Sequence, residues 1–535
     1  MSLFGGLYVG TSGLQTSQNA LNTVAHNMVN VDTEGYTRQQ VSLATRTYNT
    51  LSKTETASSY QQVGLGVNFT EVRQVRDYFL DKSYRRESAR SGFYDASCDA
   101  IEQVEEIFQE LDGEAFANAL NNLWISVEEL DKDPSNTVNQ GIFIQRCSEF
   151  TTRSKAVYQN LCDYQDDLNF SVKQKVDKMN EIGQRIVDLN EAILKIESSQ
   201  VEHPNDLKDE RNKLVDELAG YASISVDTDI EGNFIIQVDG VDFVTVGDCK
   251  KIEIFEDPIT GFYTPYWAAL AEKNALGEVD EAGIQNAKVI NLDQEISSDM
   301  NTDLGSLKGV LLARGNRRAN FEDLDPSKYG SVKDSVIMNV MAEFDQLVNK
   351  VTTGINDCIK QAAENYYGTP LPTEGYLIDP VTKEPYRVFN TSDPADRYSC
   401  PDISINETLK QSPSLLGFIR PDEKVDTVAA KALKAVFADE IYQLNPEVKA
   451  KTSINNYYNN LISQVANTGY IMRGISANQD ITVTNISASR EQILGVSTDE
   501  ELSNMIMFQN AFNASSRYVN ALSQMIEHLL ATLGQ

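Results

Sequence analysis

The chain has 535 residues, with 46 Lys and Arg against 78 Asp and Glu, which gives a formal net charge of −32. Nucleic acids and anionic membrane surfaces repel so acidic a chain, so both are excluded as principal partners. The six Cys lie far apart without a CxxC pair, which argues against a zinc ribbon and a disulfide scaffold, so we expect free thiols. No apolar run is long enough for a membrane-spanning helix. No Lys or Arg precedes Arg38, so a secretory signal peptide is not expected either.

Both ends of the chain are almost uncharged but regularly patterned. Apolar residues recur with the seven-residue spacing of a coiled coil. These seam residues are Leu7, Leu14, Leu21 and Met28 at the N-terminus, and Met505, Phe512, Val519, Leu522, Ile526, Leu529 and Leu533 at the C-terminus. The opposite faces carry Asn, Gln, Ser and Thr where a solvated coiled coil carries Glu and Lys. The pattern predicts terminal helices that pair and become surrounded by other protein. A pair of ordinary core helices that happen to be terminal is the alternative.

Between the ends, the patterns predict short strands, then long helices. Val41–Leu43 and Val63–Val67 read as strands. A helical period runs from about 81 to 130, and a second, of about 60 residues, ends at Glu202-His203-Pro204. From 222 to 290 the period changes to two, which predicts strands separated by Asp, Gly and Asn turns. Helix returns at 332–367, 425–442 and 453–479, with an irregular segment at 368–401.

The predicted fold is mainly α with an inserted β domain. We expect an elongated helical bundle whose N- and C-terminal helices pair as a coiled coil. The predicted domains are a terminal coiled-coil domain with linker strands (1–80 and 500–535), a helical-bundle domain (81–220 and 302–499, with 368–401 as an irregular excursion) and an inserted β domain (221–301).

No constellation of residues predicts catalysis, a cofactor or a metal site. Asp227–Gly232 begins like a calcium-binding loop, but Val238 stands where a bidentate Glu is needed, so a hairpin turn is the better interpretation. The chain has three His, and none lies in a pattern typical of a Ser-His-Asp triad or a metal centre. An enzyme is therefore not expected.

One motif at the end of the first predicted helix resembles a known family. Asn27, Asn30, Thr33, Gly35 and Tyr36 match the Asn-x-x-Asn-x-x-Thr-Pro-Gly-Tyr signature of bacterial flagellar axial proteins. Glu34 replaces the usual Pro. Gly35 suits the tight turn that reverses the chain after the helix.

Four further stretches resemble the hook-associated proteins that join the flagellar hook to the filament. They are 204–218, 305–311, 403–415 and 490–502, of which the last is the most specific. The resemblance follows the chain in order and is loosest in the β segment and in 368–401.

The resemblance implies a structural protein of the bacterial flagellum. It implies type III export from the cytoplasm, secretion, and assembly with itself as a ring at the hook tip. Implied partners are the hook protein, the second hook–filament junction protein, and an export chaperone on the C-terminal helix. The seam residues are the expected assembly and chaperone interface. Two alternatives remain open: another axial protein such as a hook variant, or an extracellular adhesive or scaffolding rod.

Overall fold

The structure is a computed structural model that describes residues 3–46, 49–52, 61–109, 116–198, 203–274, 277, 279–420, 422 and 424–533. The chain divides into two compact units. The terminal unit comprises residues 1–89, 178–251 and 480–535, and the central unit comprises 90–177 and 252–479.

The described residues form mostly helices. The elements of the N-terminal half are α1 (Leu3–Val29), β1 (Gln39–Thr45), β2 (Asn49–Ser52), β3 (Gln61–Val63), β4 (Val67–Gln74), α2 (Tyr78–Gln109), α3 (Phe116–Lys132), α4 (Thr137–Glu197), α5 (Asn205–Tyr221), β5 (Ile224–Thr228), β6 (Phe234–Val238), β7 (Val241–Thr245), β8 (Asp248–Cys249), β9 (Ile252–Glu256) and β10 (Tyr263–Trp267). The chain continues with α6 (Glu281–Ile284), α7 (Ser306–Arg314), α8 (Val336–Tyr367), β11 (Phe389–Thr391), β12 (Ile403–Ile405), α9 (Glu407–Gln411), α10 (Thr427–Ala438), β13 (Tyr442–Gln443), β14 (Lys451–Thr452), α11 (Ile454–Leu494) and α12 (Thr498–Leu533). Short 3₁₀ helices lie at Phe321–Leu324, Tyr329–Ser331 and Pro413–Leu416.

The mainly helical fold with strands in the 222–290 segment is confirmed, and so is the long helix, because α4 has 61 residues. The predicted end of α11 near residue 479 is wrong. The helix runs on to Leu494 because no Pro or turn-forming Gly interrupts it before Gly495. The predicted strand at 63–67 is also interrupted, since Gly66 adopts a φ of 92°.

In the terminal unit, helices α1 and α12 pack together, which confirms the predicted pairing of the chain ends. β1 pairs with β4 in an antiparallel register from Gln39↔Gln74 to Thr45↔Val67. Strands β5 to β8 form an antiparallel sheet in chain order. The β5–β6 hairpin encloses residues 229–233, so the hairpin interpretation of the 227–232 loop is confirmed.

The side chain of Asn190 in α4 binds the backbone of the β5–β8 sheet at Phe234. Its amide donates to the Phe234 carbonyl at 3.0 Å, and its oxygen accepts from the Phe234 N–H at 3.3 Å. Arg211 of α5 donates to the same oxygen at 2.7 Å and lies 3.7 Å from the Phe234 ring centroid. A primary amide carries a donor and an acceptor like a peptide group, so it can replace a neighbouring strand.

The central unit repeats this arrangement at the β9–β10 hairpin. Asn169 of α4 donates to the Gly261 carbonyl at 3.1 Å and accepts from the Tyr263 N–H at 2.8 Å. Arg314 donates to the Asn169 oxygen at 2.6 Å. On α8, Asn356 pairs in the same way with Phe389 of β11. Buried helix asparagines therefore anchor the short β segments of both units.

The predicted domain boundaries at 80, 220, 301 and 500 stay a prediction. Among the described residues, no helix is long and apolar enough to cross a membrane. All six Cys are unbridged; Cys98 is half-buried and the other five are buried.

Candidate assembly site

The α1–α12 pair approaches closely because glycines of α1 face side chains of α12. A Cβ added at Gly6 would lie 3.1 Å from Leu522, and one at Gly10 would lie 2.6 Å from Val519. A Cβ at Gly13 would lie 2.6 Å from Ser515. Positions rise along α1 as they fall along α12, so the helices are antiparallel. These three glycines form part of the surface of α1 that contacts α12.

The predicted seam residues lie on this pair of helices. Leu522 is buried, and Leu529 is 42% exposed. The half-buried members are Leu7, Leu14, Leu21, Met28, Met505, Phe512, Val519 and Ile526. The side chain of Leu533 lies outside the described residues. The assembly and chaperone roles of these residues stay a prediction.

The turn after α1 brings the motif residues together around Asn27, which is almost fully buried. The Asn27 amide donates to the Gln39 carbonyl at 2.9 Å, and its oxygen accepts from the Gln39 N–H at 3.0 Å. The Tyr36 hydroxyl donates to the same oxygen at 2.7 Å. Asn27 therefore ties the end of α1 to the start of β1.

Asn30, Thr33 and Gly35 shape the turn itself. The Asn30 amide donates to the His26 carbonyl at 3.0 Å, and the Thr33 hydroxyl donates to the Asn30 oxygen at 3.1 Å. Gly35 has a φ of 84°, a conformation that residues with a Cβ rarely adopt. Glu34, where the family usually has Pro, pairs with Lys213 of α5 at 3.1 Å.

Asp209 of α5 links this turn to β4. It accepts from the Thr37 N–H at 3.1 Å and from the Gln74 amide at 2.7 Å. Burial raises the pKa of Asp209 to about 6, against the opposing hydrogen bond from Thr37 and the charge of Arg76. Burial, together with Asp206 and Asp209, also raises the pKa of Tyr36, so its hydroxyl stays a donor.

A largely buried ion network, which no sequence pattern predicted, lies beside the turn. Arg490 near the end of α11 binds Asp81 at 2.6 Å and also binds Asp216 of α5. Arg76 binds Asp81 at 3.0 Å, and Arg85 binds Asp216 at 2.7 Å. Burial opposes ionisation of Asp81, but the hydrogen bond and charge of Arg76, followed by the charge of Arg490, hold its pKa below the usual range.

Asp216 and Arg490 are far in the chain from each other and from residues 76–85, so no local motif could reveal the network. The nearest signal was Arg490 itself, which belongs to the stretch 490–502 that carries the family resemblance. The network joins α2, α5 and α11 within the terminal unit.

Arg38 connects the segment after α1 to the start of α12. Its guanidinium binds Glu500 at 2.7 Å and Glu501 at 3.1 Å. The backbone N–H of Arg38 also donates to the Leu494 carbonyl at 2.8 Å. Glu501 is 2% exposed, so its charge depends on Arg38 for compensation.

The site has the chemistry of packing and ion pairing. In the described part of the chain, no group of three or more His, Cys, Asp or Glu residues could hold a metal ion.

Three family models match the chain. The flagellar hook-associated protein FlgK helical domain matches residues 101–370. The flagella basal body rod protein matches residues 7–37, and the C-terminal region of the flagellar basal body rod FlgEFG proteins matches residues 492–532. The two rod matches cover the turn motif and most of α1 and α12.

Individual relatives span the full length. Flagellar hook-associated protein 1 of Bacillus subtilis is 25% identical over 536 residues, covering 100% of this chain and 99% of that protein. Its Escherichia coli counterpart is 22% identical, covering 97% and 98%. The structure of the flagellar hook junction protein FlgK from Burkholderia pseudomallei matches with a TM-score of 0.55 and 11% identity, covering 78% of this chain and 100% of that one. The last match shows a shared fold.

Proposed function

Because the chain belongs to the flagellar hook-associated protein FlgK family, that of the hook–filament junction protein, we propose that its terminal helices build a ring at the hook tip. The family is structural, and this chain is a flagellar protein of the junction between hook and filament. In the proposal, copies of the chain associate through α1 and α12, and no chemical reaction is involved.

The charge and exposure of the terminal helices are the observation that supports this proposal. α1 contains no Lys, Arg, Asp or Glu. Residues 502–533 contain only two such charged residues, Arg517 and Glu527. Among the described side chains of α12, only Glu501 and Leu522 are buried. A helix that is both uncharged and exposed in the free chain is stabilised when other protein covers it.

The same features fit export before assembly. The proposed route is the flagellar type III apparatus, from the cytoplasm to the growing flagellum. An exposed apolar helix invites aggregation, so we propose that a cytoplasmic chaperone covers the seam of α12 until export. Since that seam packs against α1 in the folded chain, the chaperone would bind before α1 and α12 pair.

The proposed neighbours are the hook protein on one side of the ring and the second junction protein on the other. A hook variant is the second candidate, because the motif at 27–36 belongs to axial proteins generally. The helical-domain match over residues 101–370 and the full-length relatives favour the junction protein over that alternative.

Immunogold labelling of isolated hook–filament structures tests the proposal. The chain should label the junction, and cells that lack it should bear hooks without filaments and release flagellin into the medium. Labelling along the hook, with filaments still attached in the deletion strain, would support a hook variant instead.

A further inference from the structure

The imidazole ring of His26, in the last turn of α1, contacts both the motif turn and α5. Its Nε2 lies 3.3 Å from the Asp206 carboxylate, and its Nδ1 lies 3.4 Å from the Asn30 amide nitrogen. The ring also meets the Tyr36 ring edge-on, with 5.6 Å between the two centroids. His26 is not a member of the family motif, yet its ring touches two residues that are.

Two other hydrogen bonds fix the orientation of the Asn30 side chain. Its nitrogen donates to the His26 carbonyl at 3.0 Å, and its oxygen accepts from the Thr33 hydroxyl at 3.1 Å. A rotated amide would place its oxygen against that carbonyl. The Asn30 nitrogen therefore faces Nδ1 of the ring, which must accept, while Nε2 carries the ring proton and donates to Asp206. Only the neutral ring satisfies both contacts.

The ring lines a cavity of about 380 Å³ between the turn and α5. The titratable groups that line this cavity with His26 are Glu34 and Tyr36 of the turn and Asp206, Asp209, Glu210 and Lys213 of α5. The side chain of His26 is 42% exposed and that of Asp206 is 71% exposed, so protons reach the ring and the ion pair contributes little to stability. Histidine ordinarily titrates at about pH 6.5. Asp209 titrates in a similar range, because burial raises its pKa to about 6.

We propose that His26 is a proton-operated switch of the motif turn: the neutral ring holds Asn30, and the protonated ring releases it. The protonated ring carries a hydrogen on Nδ1 as well as on Nε2. Two donors then face each other where one hydrogen bond stood, so the Asn30 side chain must move away or rotate. Rotation would break its bonds to the His26 carbonyl and to Thr33.

The two contacts of the ring respond differently because they join different elements. The Asp206 contact joins α1 to α5, and Nε2 donates to it in both protonation states of the ring. The Asn30 contact lies within the turn, where Asn30 also binds Thr33, and the Thr33 carbonyl accepts from the Tyr36 N–H at 3.1 Å. Protonation should therefore loosen residues 30–36 while the His26 ring stays attached to α5. The switch operates in the isolated chain, whatever place the protein takes in the flagellum.

Cleavage after Glu34 by a glutamyl endopeptidase measures opening of the turn in the purified full chain. The side chain of Glu34 is 87% exposed, so cleavage is limited by opening of the backbone. Mass spectrometry of the 1–34 fragment gives initial rates at about pH 5.5 and about pH 7.5, on either side of the ordinary pKa of histidine. Each variant is compared with the parent at the same pH, which cancels the pH dependence of the protease.

Two variants test the contact from its two sides. His26→Gln keeps a neutral side chain at every pH. The parent should be cleaved at a similar rate to this variant at the higher pH and about threefold faster at the lower pH, the effect of one modest hydrogen bond. Asn30→Ala lacks the amide at every pH. It should be cleaved about threefold faster than the parent at the higher pH and at the parent rate at the lower pH.

Two controls separate His26 from other titrating groups. In an Asp209→Asn background, the parent side chain at position 26 should still give about threefold faster cleavage than Gln at the lower pH. His528→Gln replaces the histidine of α12 and should match the parent at both pH values.

A change with pH in the ratio of parent to His26→Gln cleavage supports the switch. A ratio that is the same at both pH values overturns it. A difference between the parent and Asn30→Ala that persists undiminished at the lower pH also overturns it, because the parent has then kept its contact. If the pH response disappears in the Asp209→Asn background, Asp209 and not His26 controls the turn, and the assignment to His26 is wrong.

Discussion

Helices α8 and α12 are of similar length but differ in what surrounds them. α8 has 32 residues, and nineteen of them are buried, including Phe344 and the carboxylates of Glu343 and Asp345. α12 has 36 residues, and among its described side chains only Glu501 and Leu522 are buried. α8 is therefore stabilised by contacts within its own chain, whereas most of the surface of α12 is left uncovered by its own chain.

The difference also appears in how each helix treats polar groups. In α8, Glu343 accepts hydrogen bonds from the amides of Asn445 at 2.7 Å and Gln464 at 3.0 Å, and Asn339 donates to it as well. In α12, amides and hydroxyls stand at exposed positions. α8 thus surrounds its buried Glu343 carboxylate with donors of the same chain, whereas α12 carries uncharged polar groups on its exposed surface.

The largest effect is expected for Phe344→Ala. Phe344 is fully buried, and its ring centroid lies 4.9 Å from that of Phe116 and 5.8 Å from that of Phe108. Removing the ring should lower the free energy of unfolding by about 3–5 kcal/mol, through lost transfer energy and a cavity. Urea denaturation of the isolated protein measures this loss of unfolding free energy. Phe170→Ala, at a 57% exposed ring of α4, is the control and should cost much less.

Glu343→Gln should change the pH dependence of stability. Burial raises the pKa of Glu343 to about 7, against the hydrogen bonds of Asn445 and Gln464. The pKa of this carboxyl in the unfolded chain is near 4.5, so its contribution to stability is fully present below that pH. The contribution is lost as the pH rises through 7, the pKa in the folded state. From pH 4.5 to pH 8 the variant should gain up to about 3 kcal/mol relative to the parent.

Denaturation midpoints measured across this range check the effect. Glu407→Gln, at an exposed carboxylate of α9, should give a profile parallel to that of the parent. Parallel profiles for the Glu343→Gln variant would show that the carboxylate does not oppose folding.

Arg38→Ala tests the attachment of the start of α12. The variant leaves Glu501 buried without its cation, which should lower the free energy of unfolding by about 1–3 kcal/mol. Adding Glu501→Gln should recover part of the loss, because it removes the uncompensated charge. No recovery in the double variant would mean that the Arg38 side chain acts through its contact with Glu500, because the backbone bond to the Leu494 carbonyl is kept in both variants.

The smallest effect on the isolated chain is expected for Phe512→Ala. Phe512 is half-buried, so the variant should lose only about 1 kcal/mol of unfolding free energy. Filament attachment should nevertheless fail if neighbouring copies complete the burial of this seam. A loss of unfolding free energy as large as that of Phe344→Ala would place α12 in an ordinary core.

Limited proteolysis of the parent should likewise cleave α12 before α8.

Much of this architecture could be read from local pattern. The heptads identified both terminal helices and their pairing, the seven-residue register identified α4, and alternation identified the strands between 222 and 290. These features follow from side-chain periodicity, which a helix or strand imposes on any residue that must face a core. The motif at 27–36 was likewise visible, because its hydrogen bonds join residues close in sequence.

Only the tertiary structure decided the rest. Arg490 meets Asp81 and Asp216, and Arg38 meets Glu501, across hundreds of residues, and charge alone cannot select among 78 carboxylates. The glycines of α1 gained a role only when α12 lay against them. The sequence could show that the terminal helices were neutral and periodic, but which face turns to α1 and which stays exposed depends on packing. That division follows from where small residues allow two backbones to approach.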